Sequence, residues 1–328
     1  MSVTSDDSTK TPGALILAFR RQDHLLNILN SLREGGITRI YLSIDGPRFP
    51  DDLQIGQAIE ELVQNYCAQY SLELKLMRPK KNLGLSLAVL SALDWFFAQE
   101  KVGLIIEDDL FFQADFVVYC RKALIEFEAD EQVWVISGNR YDEHIVCAST
   151  NSWSTYPMIW GWASWASRWP EVRNSIISTT LLNNTSVKLS VREYWKAGLR
   201  RVNTGILNSW AVPLAAQMKF NERYCLLPPV NLVSNIGIDL NAEHTSVETW
   251  HTNREVRKLP SNFNFESNDR NHVASASDDL FEKMIYRIKF RNIFSFIFSL
   301  LGDWLRFPKK FRKESLRDRY IAITGSKL

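Results

Sequence analysis

Between residues 14 and 137, short apolar runs alternate with stretches whose apolar residues recur every three or four positions. Ala14 to Phe19 is an unbroken apolar run and predicts a buried strand. Asp23 to Arg33 carries Leu25, Leu26, Leu29 and Leu32 at helical spacing, and Gly35-Gly36 stops it. Ile40 to Ile44 predicts a second strand that ends at Asp45-Gly46-Pro47. A helix with Ile55, Ile59, Leu62, Val63 and Tyr66 on one face follows. Leu72 to Met77 predicts a third strand, Lys80 to Gly84 a turn, and Leu85 to Phe97 a helix. Val102 to Ile106 predicts a fourth strand that runs straight into Glu107-Asp108-Asp109, and Asp115 to Glu128 the helix after it. Val133 to Ser137 predicts the fifth strand. This alternation predicts an α/β fold with right-handed crossovers, a mainly parallel sheet and helices on both faces.

Beyond Gly138 the rhythm breaks. Met158 to Trp169 holds four tryptophans in a twelve-residue Met-Ile-Trp-Gly-Trp-Ala-Ser-Trp-Ala-Ser-Arg-Trp stretch. They are expected either as plain core or as the lining of a site for a ring-shaped ligand. Arg192 to Leu199 and Trp210 to Met218 predict helices, and Cys225 to Leu227 a short strand closed by Pro228-Pro229. Asn231 to Thr245 reads as a polar loop, and His251 to Ser277 as a linker or loosely packed strap. From Phe281 to Phe311 basic residues interleave with Ile285, Ile288, Phe290, Phe294, Trp304 and other apolar ones. That pattern suits a basic amphipathic helical tail on an anionic membrane surface, or a helix docked on the main domain with a solvated basic face. The expected organisation is a polar leader over 1–12, a main domain over 13–250 with halves 13–138 and 139–250, the strap over 251–277, and the tail over 278–328.

Composition changes the picture little. The chain has 328 residues, 45% hydrophobic and 23% charged, with a net charge of +2, so no global field points to nucleic acid. Residues 1–12 lack the apolar core of a signal peptide, and no run approaches the roughly 20 apolar residues that span a bilayer. The four cysteines have no CxxC spacing and are expected as buried free thiols of a reducing compartment. A cytoplasmic protein, peripheral on the inner face of the cell membrane, is the expectation.

The candidate chemistry lies at strand ends. Strand one ends in Arg20-Arg21, strand two in Asp45, and strand four in Glu107-Asp108-Asp109. In a parallel sheet all three open on the carboxyl edge, where such sheets bind ligands. Three adjacent carboxylates repel one another unless a cation sits among them, so they predict either a Mn²⁺ or Mg²⁺ site or a solvated acidic loop. Arginines, acids and a metal together suit a nucleoside diphosphate. No GxGxxG follows strand one and there is no GxxxxGK[ST], which disfavours a dinucleotide fold and excludes P-loop chemistry.

Val102 to Leu110, with Asp45-Gly46 and Lys81-Asn82-Leu83-Gly84 before it, resembles the nucleotide-sugar half of GT-A-fold glycosyltransferases. The similar groups are the N-acetylglucosaminyltransferase I-like enzymes and related bacterial sugar transferases. Trp160-Gly161-Trp162 resembles their Gly-Trp segment, and Asn231 to Gly237 with His244-Thr245 resembles a loop of the bacterial members. The resemblance implies a metal-dependent, inverting transfer from a UDP-sugar to a glycan or lipid-linked saccharide acceptor in surface polysaccharide synthesis. It implies that Arg21 contacts the nucleotide, that Asp45 bonds the uracil, and that Lys81 and Asn82 lie along the nucleotide or diphosphate. It places Trp162 beside the sugar, Glu107 at the donor sugar as a catalytic acid, and Asp108 at the ribose or metal shell. Asp109 is the direct metal ligand and His244 the second.

One part of the pattern is missing. The relatives carry an acid in a Trp-Asp-Asp-Trp or Trp-Asp segment, whereas Asn208-Ser209-Trp210-Ala211 has none. The catalytic base is therefore expected from Asp239 first, then from Asp142, Glu143 or Glu171. Two alternatives stay open: a GT-A relative that binds nucleotide sugar or carbohydrate without catalysis, and a sugar nucleotidyltransferase. The second lacks support from Ala18-Phe19-Arg20-Arg21, where a glycine-rich basic signature is usual.

Overall fold

The computed structural model describes residues 11–143, 150–178, 180–181, 184–237, 252–266 and 269–288. The first strands form as the apolar runs require: β1 (Gly13–Ala18), β2 (Arg39–Ile44), β3 (Glu73–Met77) and β4 (Val102–Glu107). β1 pairs in parallel with β2 and β4, and β2 with β3. The intervening helices are α1 (Leu25–Glu34), α2 (Pro50–Gln69) and α3 (Leu85–Phe97). After β4 come a short β5 (Leu110–Phe112), α4 (Ala114–Glu126) and β6 (Val133–Ser137).

Alternate residues of the parallel strands enter different cores. Ala14, Ile16, Leu104 and Ile106 join one buried cluster with α1, α2 and α4, whereas Leu15 and Ile105 join another with α3 and the later helices. Burial on both faces explains why these strands read as continuous apolar runs. The fold is a mixed, Rossmann-like α/β architecture with a large, mainly parallel sheet between helical layers.

The second half completes that sheet. Its elements are β7 (Ser152–Ser154), β8 (Trp162–Trp165), α5 (Trp169–Ile177), α6 (Leu189–Asn203), α7 (Ala211–Phe220), β9 (Tyr224–Leu227), β10 (Val233–Asn235) and α8 (Arg270–Met284). The strand order is β3-β2-β1-β4-β8-β6-β9-β7. The tryptophan-rich segment thus supplies β8, which runs antiparallel between β4 and β6. Trp162, Trp165 and Trp169 are buried, and the Trp162 ring stacks on Trp210. A separate ribbon pairs β10 with β5, antiparallel.

Two expectations change at the carboxyl end. The strap expected through Ser277 becomes helical from Arg270, capped by the Asp269 side chain accepting from His272 N. α8 lies against β7 through a buried polar network. Ser277 Oγ donates to Asp142 Oδ2 at 2.5 Å, and Asp142 pairs with Arg140 at 2.8 Å. Asp278 accepts from Ser154 Oγ at 2.6 Å and from Lys219 Nζ at 2.8 Å. The first residues expected on a membrane surface also belong to this interface. Phe281 is fully buried, Ile285 and Ile288 pack on the same core, and the Tyr286 ring lies 4.9 Å from those of Tyr156 and Trp195. The rest of the tail, 289–328, lies outside the described residues. Among the described residues no helix is long and apolar enough to cross a membrane.

Candidate functional site

The parallel register brings the ends of β1, β2 and β4 together. Asp45 N donates to Ala18 O at 3.4 Å and Asp108 N to Leu17 O at 3.1 Å, so the polar residues after all three strands meet at the carboxyl edge. A cavity of about 350 Å³ opens there. It is lined by Phe19, Arg48, Asn82, Glu107, Asp108 and Asn208 among others, with Asp45 and the first turn of α3. Asp45, Asn82, Glu107 and Asp108 thus line one cavity.

Their tasks differ in detail from the sequence expectation. Asp45 Oδ1 accepts from Gly46 N at 2.7 Å and Leu83 N at 2.9 Å. Its Oδ2 accepts from Asn82 Nδ2 at 2.9 Å and Gly84 N at 3.1 Å. A carboxylate offers about four acceptor positions, so this one is filled by its own chain and none remains for a uracil. Asp45 instead holds the 82–84 turn against β2. Gly84, at φ 74°, takes the left-handed conformation that lets the turn enter α3.

The acids of β4 are arranged in sequence. Asp108 Oδ2 accepts from Phe19 N at 2.9 Å and Arg21 N at 3.4 Å, which fixes the loop after β1. Burial pushes the Asp108 carboxyl up to about 6, with the Phe19 hydrogen bond pulling the other way. Burial, then the neighbouring Asp109 and Asp108 charges, push the Glu107 carboxyl up to about 8. The Glu107 carboxylate has no side-chain hydrogen bond among the described residues, and Glu107 lines the cavity. Asp109 turns away toward Arg21, whose Nη1 donates to Asp109 Oδ2 and whose Nη2 donates to Gly237 O, each at 2.7 Å. The Asn231–Gly237 loop therefore sits directly beside the acids, with Ile236 N donating to Asp109 O at 2.9 Å.

Arg21, read as the nucleotide contact, is engaged in this clamp and does not line the cavity. The cation that does line it is Arg48, whose guanidinium lies 4.4 Å over the Phe19 ring. Sequence reasoning missed it because Arg48 follows Asp45-Gly46-Pro47 in what reads as a plain turn. Its position three residues beyond a strand-end acid was the available signal. Lys81 is exposed and off the cavity lining. Trp162 is core and not a sugar platform, because β8 carries it into the sheet between β4 and β6. Asp239 and His244 lie outside the described residues.

Three of the four candidate bases can be placed. Asp142 is wholly buried in its pair with Arg140. Glu143 accepts from Asn231 N at 2.8 Å and pairs with Arg257. Glu171 starts α5 at the opposite edge of the sheet, beyond the end of antiparallel β8, and pairs with Arg223 at 2.7 Å. None faces the cavity. From the acid-free segment Asn208 does face it, with its Oδ1 accepting from Ser86 N at 3.3 Å at the start of α3.

No protein-family model matches the chain, and no curated protein matches its sequence. Solved structures do match at low identity. A protein described as a glucose-1-phosphate thymidylyltransferase of Bacillus anthracis is 10% identical over 49% of this chain and 74% of its own, with a TM-score of 0.32. The 4-diphosphocytidyl-2C-methyl-D-erythritol synthase of Anaerococcus prevotii is 12% identical over 54% of this chain and 80% of its own, with a TM-score of 0.34. HddC of Yersinia pseudotuberculosis, solved with GMP-PN, is 14% identical over 48% and 77%, with a TM-score of 0.28.

One buried oxygen among the acids is left without a partner. Asp109 Oδ1 is buried without a hydrogen-bond partner among the described residues, which a hard cation would satisfy. Among those residues no three histidine, cysteine or acidic side chains group as a complete ligand set. Asp109 Oδ1 is thus one candidate oxygen ligand, and its other oxygen is held by Arg21.

Proposed function

We propose that this chain is a glycosyltransferase that uses a nucleoside-diphosphate sugar, with UDP as the nucleotide. The observation that carries the reading is the cavity at the carboxyl edge, where Arg48, the first turn of α3 and the acids Glu107 and Asp108 face one space. Arg48 and the positive end of α3 suit a diphosphate, and Phe19 offers apolar surface beside it. Asp108 suits a ribose or the metal shell, and Glu107 the donor sugar. Mn²⁺ or Mg²⁺ belongs to the proposal: Asp109, with Asp108 beside it, would hold the ion, which would neutralise charge on the departing diphosphate. Asp45 and Asn82 keep the turn into α3 in place, and Arg48 orients the diphosphate. The acceptor is proposed as a glycan or lipid-linked saccharide.

The decisive test is calorimetric titration with UDP, with and without Mn²⁺, on the native chain and on Arg48→Ala and Asp109→Ala. A charge-assisted contact is worth about 1.5–3 kcal/mol, so Arg48→Ala should weaken UDP by roughly ten- to hundredfold. Asp109→Ala should remove the metal dependence. UDP affinity indifferent to Arg48→Ala would sink the assignment.

A second reading has its own observation: the candidate bases Asp142, Glu143 and Glu171 are committed to other partners, and Asn208 lines the cavity from the acid-free segment. On that reading the chain binds nucleotide sugar without transferring it. Release of UDP from any of a panel of UDP-sugars separates the two, since a binding module releases none.

A further inference from the structure

Asp52, in the first turn of α2, has a side chain only 1% exposed and draws charge from two loops. Its Oδ2 accepts from Arg48 N at 2.8 Å and from Phe49 N at 3.1 Å, which caps the helix. Arg48 Nε lies 3.8 Å from the same oxygen, and Arg20 Nη1 lies 3.4 Å from Oδ1. Burial pushes the Asp52 carboxyl up, but the two backbone hydrogen bonds and the two guanidinium charges outweigh it and hold the group below its ordinary value. Asp52 is therefore a buried carboxylate with one arginine on each oxygen.

The loops set this triad beside the cavity. Asp108 accepts from Phe19 N and Arg21 N and fixes the loop after β1, and Arg20, between them, sends its side chain to the start of α2. The Phe19 ring lines the cavity and lies 4.4 Å under the Arg48 guanidinium, which lines it too. Arg20 thus stands one carboxylate away from a cation of the cavity wall.

The contacts with Asp52 orient the arginines without hydrogen-bonding to them. At 3.4 Å and 3.8 Å they are longer than the roughly 2.7–2.9 Å of a charge-assisted hydrogen bond. Among the described residues the Arg20 guanidinium donates no hydrogen bond, and its side chain is 44% exposed. Ion pairs of that kind add little to stability. Two planar forks on either side of one carboxylate do match an anion with several oxygens on linked centres, since each fork can take one phosphate in a bidentate contact.

We propose that Arg20 and Arg48 form a two-arginine clamp for a diphosphate group, with Asp52 as the positioning residue that holds the two forks side by side. That this diphosphate belongs to a nucleotide sugar rests on the glycosyltransferase reading. The clamp does not, because inorganic pyrophosphate tests it alone.

The test is calorimetric titration of the full chain in EDTA with inorganic pyrophosphate, inorganic phosphate and UDP. The native chain should bind pyrophosphate more tightly than phosphate. Arg20→Gln should weaken pyrophosphate and UDP roughly tenfold, the scale of one charge-assisted contact, and leave the urea midpoint unchanged. Asp52→Asn keeps an oxygen for the backbone donors and should lose the preference for pyrophosphate over phosphate. Lys122→Gln makes the same charge change at an exposed position on α4 and should alter nothing. Pyrophosphate affinity that is absent in the native chain, indifferent to Arg20→Gln, or weakened equally by Lys122→Gln overturns the proposal. A preference unchanged in Asp52→Asn removes the positioning role. Pyrophosphate binding that depends on Arg20 in a chain that ignores UDP would uphold the clamp and sink the UDP-sugar reading, so the two failures are distinguishable.

Discussion

Arg21 Nη1 donates to Asp109 Oδ2 at 2.7 Å, and the same guanidinium holds the Gly237 carbonyl at 2.7 Å. One arginine from the first strand end thus ties the third acid of β4 to a loop more than two hundred residues away. Gly237 is required there: a Cβ would overlap both the Arg21 guanidinium and the Asp109 carboxylate. Gly237→Ala is expected to cost about 1–3 kcal/mol through overpacking and to break the clamp. Urea unfolding measures the first effect. Loss of Mn²⁺-dependent UDP binding measures the second.

Asp45 is expected to act through the turn it holds. Asp45→Asn keeps the size but loses acceptor capacity opposite Leu83 N, Gly84 N and the Asn82 amide, leaving donors unpaired at about 1–3 kcal/mol in total. Trypsin should then cut faster after Lys80 or Lys81 than in the native chain. A variant that loses UDP affinity with unchanged cleavage would mean that Asp45 touches the nucleotide itself.

Trp162 should behave as core. Its ring lies 6.1 Å from that of Trp210 at an interplanar angle of 27°. Trp162→Ala is expected to cost about 3–5 kcal/mol. Trp162→Phe should fold with a lower midpoint and bind UDP with native affinity. Weaker UDP binding in a well-folded Trp162→Phe would restore the ring to the site.

These cases show why some of the molecule could be read in advance. β1 to β4 were legible because strands buried on both faces announce themselves as apolar runs, and the register then carries Asp45, Glu107 and Asp108 to one edge whatever the loops do. β8 was not, because Trp162 to Trp165 is a four-residue strand placed by its neighbours, and four tryptophans close together read as easily for a site as for a core. The clamp was half visible: Arg21 and Asp109 were singled out, but whether a cation meets an acid or a phosphate depends on side-chain direction. Arg48 was hidden in a turn. α8 was hidden because Ser277 reads as the end of the strap and Asp278 and Glu282 as the start of the tail until their partners on β7 and α7 are known.

The described thiols should be inert in the native protein. Burial pushes Cys67 up to about 11 and Cys225 to about 12, and Cys120 well above its ordinary value. A thiol raised in this way stays protonated at pH 8, and only the thiolate attacks a disulfide reagent. Ellman's reagent should therefore leave all three unmodified at pH 8 and reach them on unfolding in guanidinium. Because the unfolded thiols ionise nearer their ordinary value of 9.0, raising the pH above that point should favour the unfolded state and lower the guanidinium midpoint.

Where the chain is cut at its carboxyl end should decide whether it folds. Phe281 is buried against the ring of Tyr141, and Glu282 accepts from Tyr156 OH at 3.0 Å, so a deletion from Phe281 onward removes part of the core. Such a deletion is expected to lose more than the roughly 3–5 kcal/mol of one buried aromatic, since it exposes Trp195 and Tyr156 as well. Ending the chain after Ile288 keeps Ile288 N donating to Glu282 O at 2.8 Å and should leave the midpoint and UDP affinity unchanged. That cut is the one that isolates the basic segment, because any loss of vesicle binding then comes from the residues beyond 288 and not from unfolding.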